Sequence, residues 1–196
     1  MSIRNIIIAI ALVMLFLKYG RDTTPVRYGE GVVAPEMPIQ EALPDARPFK
    51  QGDYTITPLA SFDIEARLLR RESYHLDREA DLSPVDFALG WGPMSDERVL
   101  DKIEITQSNR WYHWRVAEFP IPRRDIETHS ANMHLIPASD TIKTELNRVK
   151  PGQRIRLTGA LVEVSQNGWR WRSSLTREDT GDHSCEVFRV ESVQIY

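Results

Sequence analysis

Cysteine is almost missing from this chain. Cys185 is the only one in 196 residues, so neither an intramolecular disulfide nor a multi-cysteine zinc cluster can hold the fold together. Charge of one sign is not in excess either. Lys and Arg total 25 against 28 Asp and Glu, a formal charge of −3, which gives no general pull toward nucleic acid or anionic lipid. The chain has no catalytic-triad phrase, no phosphate loop and no His-Glu-x-x-His helix. No internal repeat or low-complexity tract interrupts the body. Against these absences, 41% hydrophobic and 27% charged residues are the ordinary composition of a globular protein. The length suits one compact domain with appendages.

The longest apolar run stands at the amino terminus. "MSIRNIIIAIALVMLFLKYGRD" has no polar residue from Ile6 to Leu17. Twelve helical residues span roughly 18 Å, and extending the helix to Ile3 and Tyr19, with Arg4 and Lys18 snorkelling, approaches a thin bilayer. The small-residue cleavage pattern of a secretory signal is missing, which favours an uncleaved signal anchor over a cleaved one. Arg4 on one side and Lys18 with Arg21 on the other nearly balance. A lone N-terminal segment most simply serves to export the body of the chain. The expected location is therefore the inner (cytoplasmic) membrane, single-pass, with the C-terminal domain in the periplasm or extracytoplasmic space.

From Gly20 to Lys50 come five of the twelve prolines, Pro25, Pro35, Pro38, Pro44 and Pro48. That density leaves no helical or alternating period and reads as an extended tether. The competing reading is an arm docked along the domain, which "GEGVVAPEMPI" has the apolar residues to permit. The expected division is 1–19 anchor, 20–51 proline-rich linker and 52–196 extracytoplasmic domain.

Within the body, Phe62, Ile64, Ala66 and Leu68 alternate with charged residues as a half-buried strand. In "SPVDFALGW", Ser83 and Pro84 suit the cap and first position of a helix. "SDERVLDKI", with Ser95 or Asp96 as cap and Val99, Leu100 and Ile103 at helical spacing, predicts another. "NRWYHWRV" reads as a strand, "RRDIETH" as a short helix after Pro122, and "NMHLIPA" as an apolar strand. Ser139 caps a helix with Ile142, Leu146 and Val149 on one face, closed by Pro151 and Gly152. "GQRIRLTGALVEV" alternates as a strand, Gly159 marks a bulge or bend, and "SQNG" turns it into "WRWRSSL". "EVFRVESVQIY" closes the chain as a strand with Phe188 and Val190 on one face.

The phrase "KPGQRIRLTGALVEV" resembles the first strand of an OB-fold barrel, a resemblance that covers Lys150 to Tyr196. An OB-fold needs five strands with a helix between the third and fourth, so such a barrel would recruit strands from the first half of the chain. "SANMHLIPA" with "SSLTREDTG" is similar to uncharacterised exported, membrane-anchored bacterial proteins, a likeness that implies no activity. The expected fold is thus α+β, a curved antiparallel sheet or small OB-like β-barrel with several short helices, preceded by one transmembrane helix.

Four groups of residues are candidates for function. Trp111 and Trp114 of "RWYHWR", with Trp169, Trp171, Arg170 and Arg172 of "WRWR", could stack rings of a ligand. The plain alternative puts Trp169 and Trp171 toward the core and the arginines in water. His129, His134, His183 and Cys185 have the donor types zinc prefers, but their spacing fits no known site. Cys185 with His183, His129 or His134 could form a nucleophilic pair. The polar turn "TREDTGDHS" adds Arg177 and Asp179 as ligand-binding candidates, although Asp-Thr-Gly is also ordinary turn chemistry. These readings predict a non-enzymatic binding or assembly module with a protein or glycan partner, tethered to the membrane and needing no cofactor. The competing expectation is a small hydrolase using Cys185 and a histidine or paired carboxylates. Charge and location argue against nucleic acid.

Overall fold

The structure is a computed structural model and describes residues 5, 24–76, 78–176 and 185–196. The expected anchor, Ile3–Tyr19, lies outside the described residues apart from Asn5. Among the described residues no helix is long and apolar enough to cross a membrane.

The chain is mostly β-sheet with a few short helices. Its strands are β1 (Ile39–Ala42), β2 (Phe49–Gln51), β3 (Tyr54–Ser73), β4 (Val85–Gly90), β5 (Ile103–Ser108), β6 (Trp111–Val116), β7 (Ser130–Pro137), β8 (Arg154–Gln166), β9 (Trp169–Arg172) and β10 (Glu186–Ile195). Among the described residues, the short α-helices between them are α1 (Glu97–Leu100), α2 (Arg123–Thr128) and α3 (Asp140–Arg148).

Strand β3 organises the sheet. Its first two-thirds pair with β8 and its last third with β4, with register shifts at Leu59 and Leu69. Such bulges bend a strand and raise its twist, so one strand serves two neighbours. β4 pairs with β7, β7 with β10 and β10 with β8. The pairings therefore run in a cycle, β3-β4-β7-β10-β8, but the sheet is not a clear barrel. The β7–β10 pairing is parallel, so the sheet is mixed, against the expectation of a curved antiparallel sheet or a small OB-like barrel. β1 and β2 pair along β3, β9 pairs with β8, and β5–β6 forms a separate hairpin.

Alternation decides which side chains fill the core. Phe62, Ile64, Ala66 and Leu68 of β3 pack with Val85, Phe87 and Leu89 of β4, Met133 and Leu135 of β7, and Phe188 and Val190 of β10. Ile142 and Leu146 of α3, with Val149 after it, close the same core. Ser139 caps α3 by accepting a hydrogen bond from the Ile142 amide at 3.3 Å. The period expected for this helix is the one that packs.

Two expectations need correction. "VDFALG" is strand β4, not a helix, and all six of its residues are buried. A short apolar run buried on both faces reads alike as either element, and Pro84 suits the entrance to a strand because it removes a ladder donor where none is needed. The phrase likened to a first barrel strand is β8, and β3 leads the cycle. Of the two readings of the proline-rich segment, its described part follows the docked arm. The Val26 amide donates to the Pro151 carbonyl, Gly29 to Glu97 and Gly31 to Asp96, and Ala34 is fully buried.

Candidate functional site

The site begins with one cross-strand pair. Asp86 of β4 stands opposite His134 of β7, and alternation turns both away from the core that Phe87 and Leu135 enter. A bare carboxylate there would be costly to bury, yet Asp86 has no exposure at all. It is matched on two sides. Arg110 donates to its Oδ1 at 2.9 Å, and His134 Nδ1 lies 2.9 Å from its Oδ2. Asn132 Nδ2 reaches the same Oδ2 at 3.4 Å and the Arg110 carbonyl at 3.2 Å. Gln107 donates in turn to the Asn132 side-chain oxygen at 2.6 Å.

The hairpin β5–β6 delivers Arg110. Asn109 and Arg110 form its tip with φ of 52° and 68°, the left-handed pair that a two-residue hairpin turn requires. Asparagine tolerates this conformation; for arginine it costs on the order of 1 kcal/mol. Contacts of both its backbone and its side chain hold Arg110 there. Its amide donates to the Tyr74 hydroxyl, its guanidinium lies 3.8 Å from the Tyr74 ring centre, and one nitrogen bonds the Ser83 carbonyl as well as Asp86. Burial, helped by the field of Asp86, pushes the Tyr74 hydroxyl up to about 12. Burial does the same to Tyr112, also to about 12, where it meets Ser130 at 3.0 Å.

His134 is 4% exposed and its ring lies 4.9 Å from that of Trp171. Nδ1 is engaged with Asp86, which leaves Nε2 as the ring nitrogen turned away from the carboxylate. Among the described residues Nε2 has no hydrogen-bond partner. Trp171 packs on Trp169, and Trp169 on Tyr54, at 6.0 and 6.3 Å between ring centres. On the other side of β9, Arg170 and Arg172 both bond one oxygen of Glu163, at 2.5 and 2.8 Å. The Arg170 hydrogen bond, ahead of that from Arg172, holds the Glu163 carboxyl below its ordinary range.

These parts enclose an open cleft of about 570 Å³. The hairpin tip, Arg110 and Trp111, forms one wall, β9 from Arg170 to Arg172 the other, and His134 the floor. Ser173 and Cys185 close one end. There the Ser174 amide bonds the Cys185 carbonyl and the Val187 amide bonds the Ser173 hydroxyl, each at 3.1 Å. Cys185 is half-buried, one residue before β10.

Of the sequence candidates, the cleft gathers Trp111, His134, Arg170, Trp171, Arg172 and Cys185. Trp169 supports it from behind. Trp114 belongs to another cluster, 6.1 Å from Phe119 and under Arg123. His129 ends α2, bonded to the Asp125 carbonyl beside Gly92. His183, Arg177 and Asp179 lie outside the described residues. Among the described residues no three His, Cys, Asp or Glu side chains are grouped to hold a metal ion. Sequence reasoning missed Asp86, Arg110, Tyr74 and Asn132. The available signal was Asp86 itself, the lone charge inside "VDFALG".

Comparison with known proteins gives no family for this arrangement: no family model, no curated protein and no solved structure matches the chain.

Proposed function

We propose that the chain is a membrane-tethered, extracytoplasmic binding module, non-enzymatic, whose cleft between the β5–β6 tip and β9 receives a protein or glycan partner of the cell envelope. The observation that carries this reading is the cleft's lining. Indole rings and guanidinium groups stand over a floor fixed by the buried Asp86–His134–Arg110 cluster. Fixed polar groups set in an apolar and aromatic wall are the usual make-up of a recognition site.

The fold reading behind it is OB-like. Counted in chain order, the five strands of the cycle are β3, β4, β7, β8 and β10: the first pairs with both the second and the fourth, the third and fifth run parallel, and α3 stands between the third and fourth. The outer face of strands two and three is where OB-like folds bind chains, and here that face carries Asp86, Asn132 and His134. The hairpin β5–β6 is then an insertion that roofs the face.

The test uses the full chain in detergent micelles and the fluorescence anisotropy of two labelled probes, oligogalacturonate and a pool of acidic heptapeptides. Binding of either probe, lost in Trp171→Ala and kept in Trp114→Ala, supports the reading. Binding of neither, or equal losses in both variants, contradicts it.

The hydrolase reading has one observation in its favour: Asp86, His134 and Cys185 supply, in order, the groups of a carboxylate–imidazole–thiol nucleophile. It predicts rapid alkylation of Cys185 near pH 6 that slows at least tenfold in His134→Asn. The binding-module reading predicts slow labelling with no such dependence.

A further inference from the structure

We propose that the free edge of β9 is an acceptor for an extended peptide, which adds as a strand and carries acidic side chains at alternate positions. The proposal rests on the cleft being the binding site and names what enters it. Three consecutive residues, Arg170, Trp171 and Arg172, line the cleft. Neighbours along a strand point to opposite faces, so a surface that meets all three runs along the strand's edge. β9 ends the sheet, and among the described residues no strand pairs with its outer side.

The register says which backbone groups wait there. Asn167 and Gly168, with φ of 47° and 82°, are the two-residue turn between Gln166 and Trp169. The residues flanking such a turn exchange hydrogen bonds, and bonding alternates along an antiparallel ladder. Trp169 and Trp171 therefore bond β8, in step with Ser173, whose amide donates to the Val162 carbonyl. The N–H and C=O groups of Arg170 and Arg172 point the other way, into the cleft. An incoming strand of alternating residues meets these four groups by strand addition.

Side chains select the occupant. Partner residues on the arginine face lie beside Arg170 and Arg172, two guanidiniums sharing one oxygen of Glu163, so acidic residues fit there. Partner residues on the opposite face lie beside Trp171, so apolar ones fit between them. The pattern is acidic-apolar-acidic. A glycan has no polypeptide backbone to match the edge's row of N–H and C=O groups.

The test measures affinity of the full chain in micelles for a heptapeptide pool with Glu fixed at alternate positions and apolar residues between. Its counterpart is the same pool N-methylated at the amides of the apolar residues in one set and of the Glu residues in another. Only one set of amides faces β9, so one methylated pool should bind at least tenfold more weakly and the other within threefold. Arg170→Pro, which removes an outward N–H that an edge strand can spare, should weaken the unmethylated pool at least tenfold, and Arg170→Lys less than threefold. If the pools bind equally and Trp171→Ala still abolishes binding, strand addition is wrong while the cleft remains the site. If oligogalacturonate binds and no peptide pool does, the occupant is a glycan and the proposal fails. If nothing binds, both readings fail.

Discussion

Asp86 carries more of the site than any other residue, because Arg110 and His134 meet on the two oxygens of this fully buried carboxylate. A buried pair adds little net stability when intact, but removing one member leaves the other buried and unmatched, at about 3–5 kcal/mol. Asp86→Ala should therefore lower urea stability by about 3 kcal/mol or more and release the hairpin tip. A loss below about 1 kcal/mol would mean that Arg110 finds water instead. Cys185 sits at the other extreme. Half-buried at the cleft's end, its change to Ala should alter stability by only about 1 kcal/mol, read in the same urea titration, and leave probe binding intact. The weight of Asp86 was not legible in the sequence. His134, Trp171 and Cys185 announce themselves by type, whereas Asp86 becomes conspicuous only once its segment is known to be a buried strand.

Elements supply a sharper test of the backbone. A Cβ added at Gly159 of β8 would collide with the Arg189 carbonyl oxygen of β10, beside the register shift between Val190 and Ser192. Because the obstacle is main chain, Gly159→Ala should cost about 3 kcal/mol, visible as a fall in Tm. The glycine was read from sequence as a bulge or bend; the partner strand that makes it necessary lies far along the chain and was not. Helix α1 offers a pH test. Asp96 caps it through the Arg98 amide, also accepts from Gly31 of the arm, and pairs with Arg98. The Arg98 side chain, with those amides, holds its carboxyl down at about 2 against an ordinary 3.8. A carboxyl lowered in the folded state stabilises above its unfolded pKa, and that stability is lost as pH falls through the folded one. Stability should thus decline between about pH 4 and pH 2. Asp96→Asn, which keeps the cap, should flatten that part of the curve. An unchanged acid limb would show that Asp96 is not linked to folding. Local signals served best where an element is defined by its own residues: Ser139 with α3, and "SQNG" with the β8–β9 hairpin. They failed at β4, whose identity depends on having strands on both sides.

At the scale of the whole molecule, the sequence could say that the last strands form a sheet but not that β3 begins the cycle, because pairing between segments so far apart in the chain leaves no local trace. The arm packs on Glu97, Asp96 and Pro151. An anchored chain should sediment with membranes and keep the intact mass of residues 1–196; a soluble product beginning after Gly20 would remove the anchor from the account. Cys185, the chain's single thiol, lines the cleft with Trp111 and Trp171 and so reports directly on a ligand held there. The measurement is the alkylation rate of Cys185 by iodoacetamide in the full chain, with and without a saturating pool of acidic heptapeptides. Labelling should be at least tenfold slower with the pool present, in the wild type and Trp114→Ala, with no protection in Trp171→Ala. A rate unchanged by the pool in the wild type would contradict binding in the cleft.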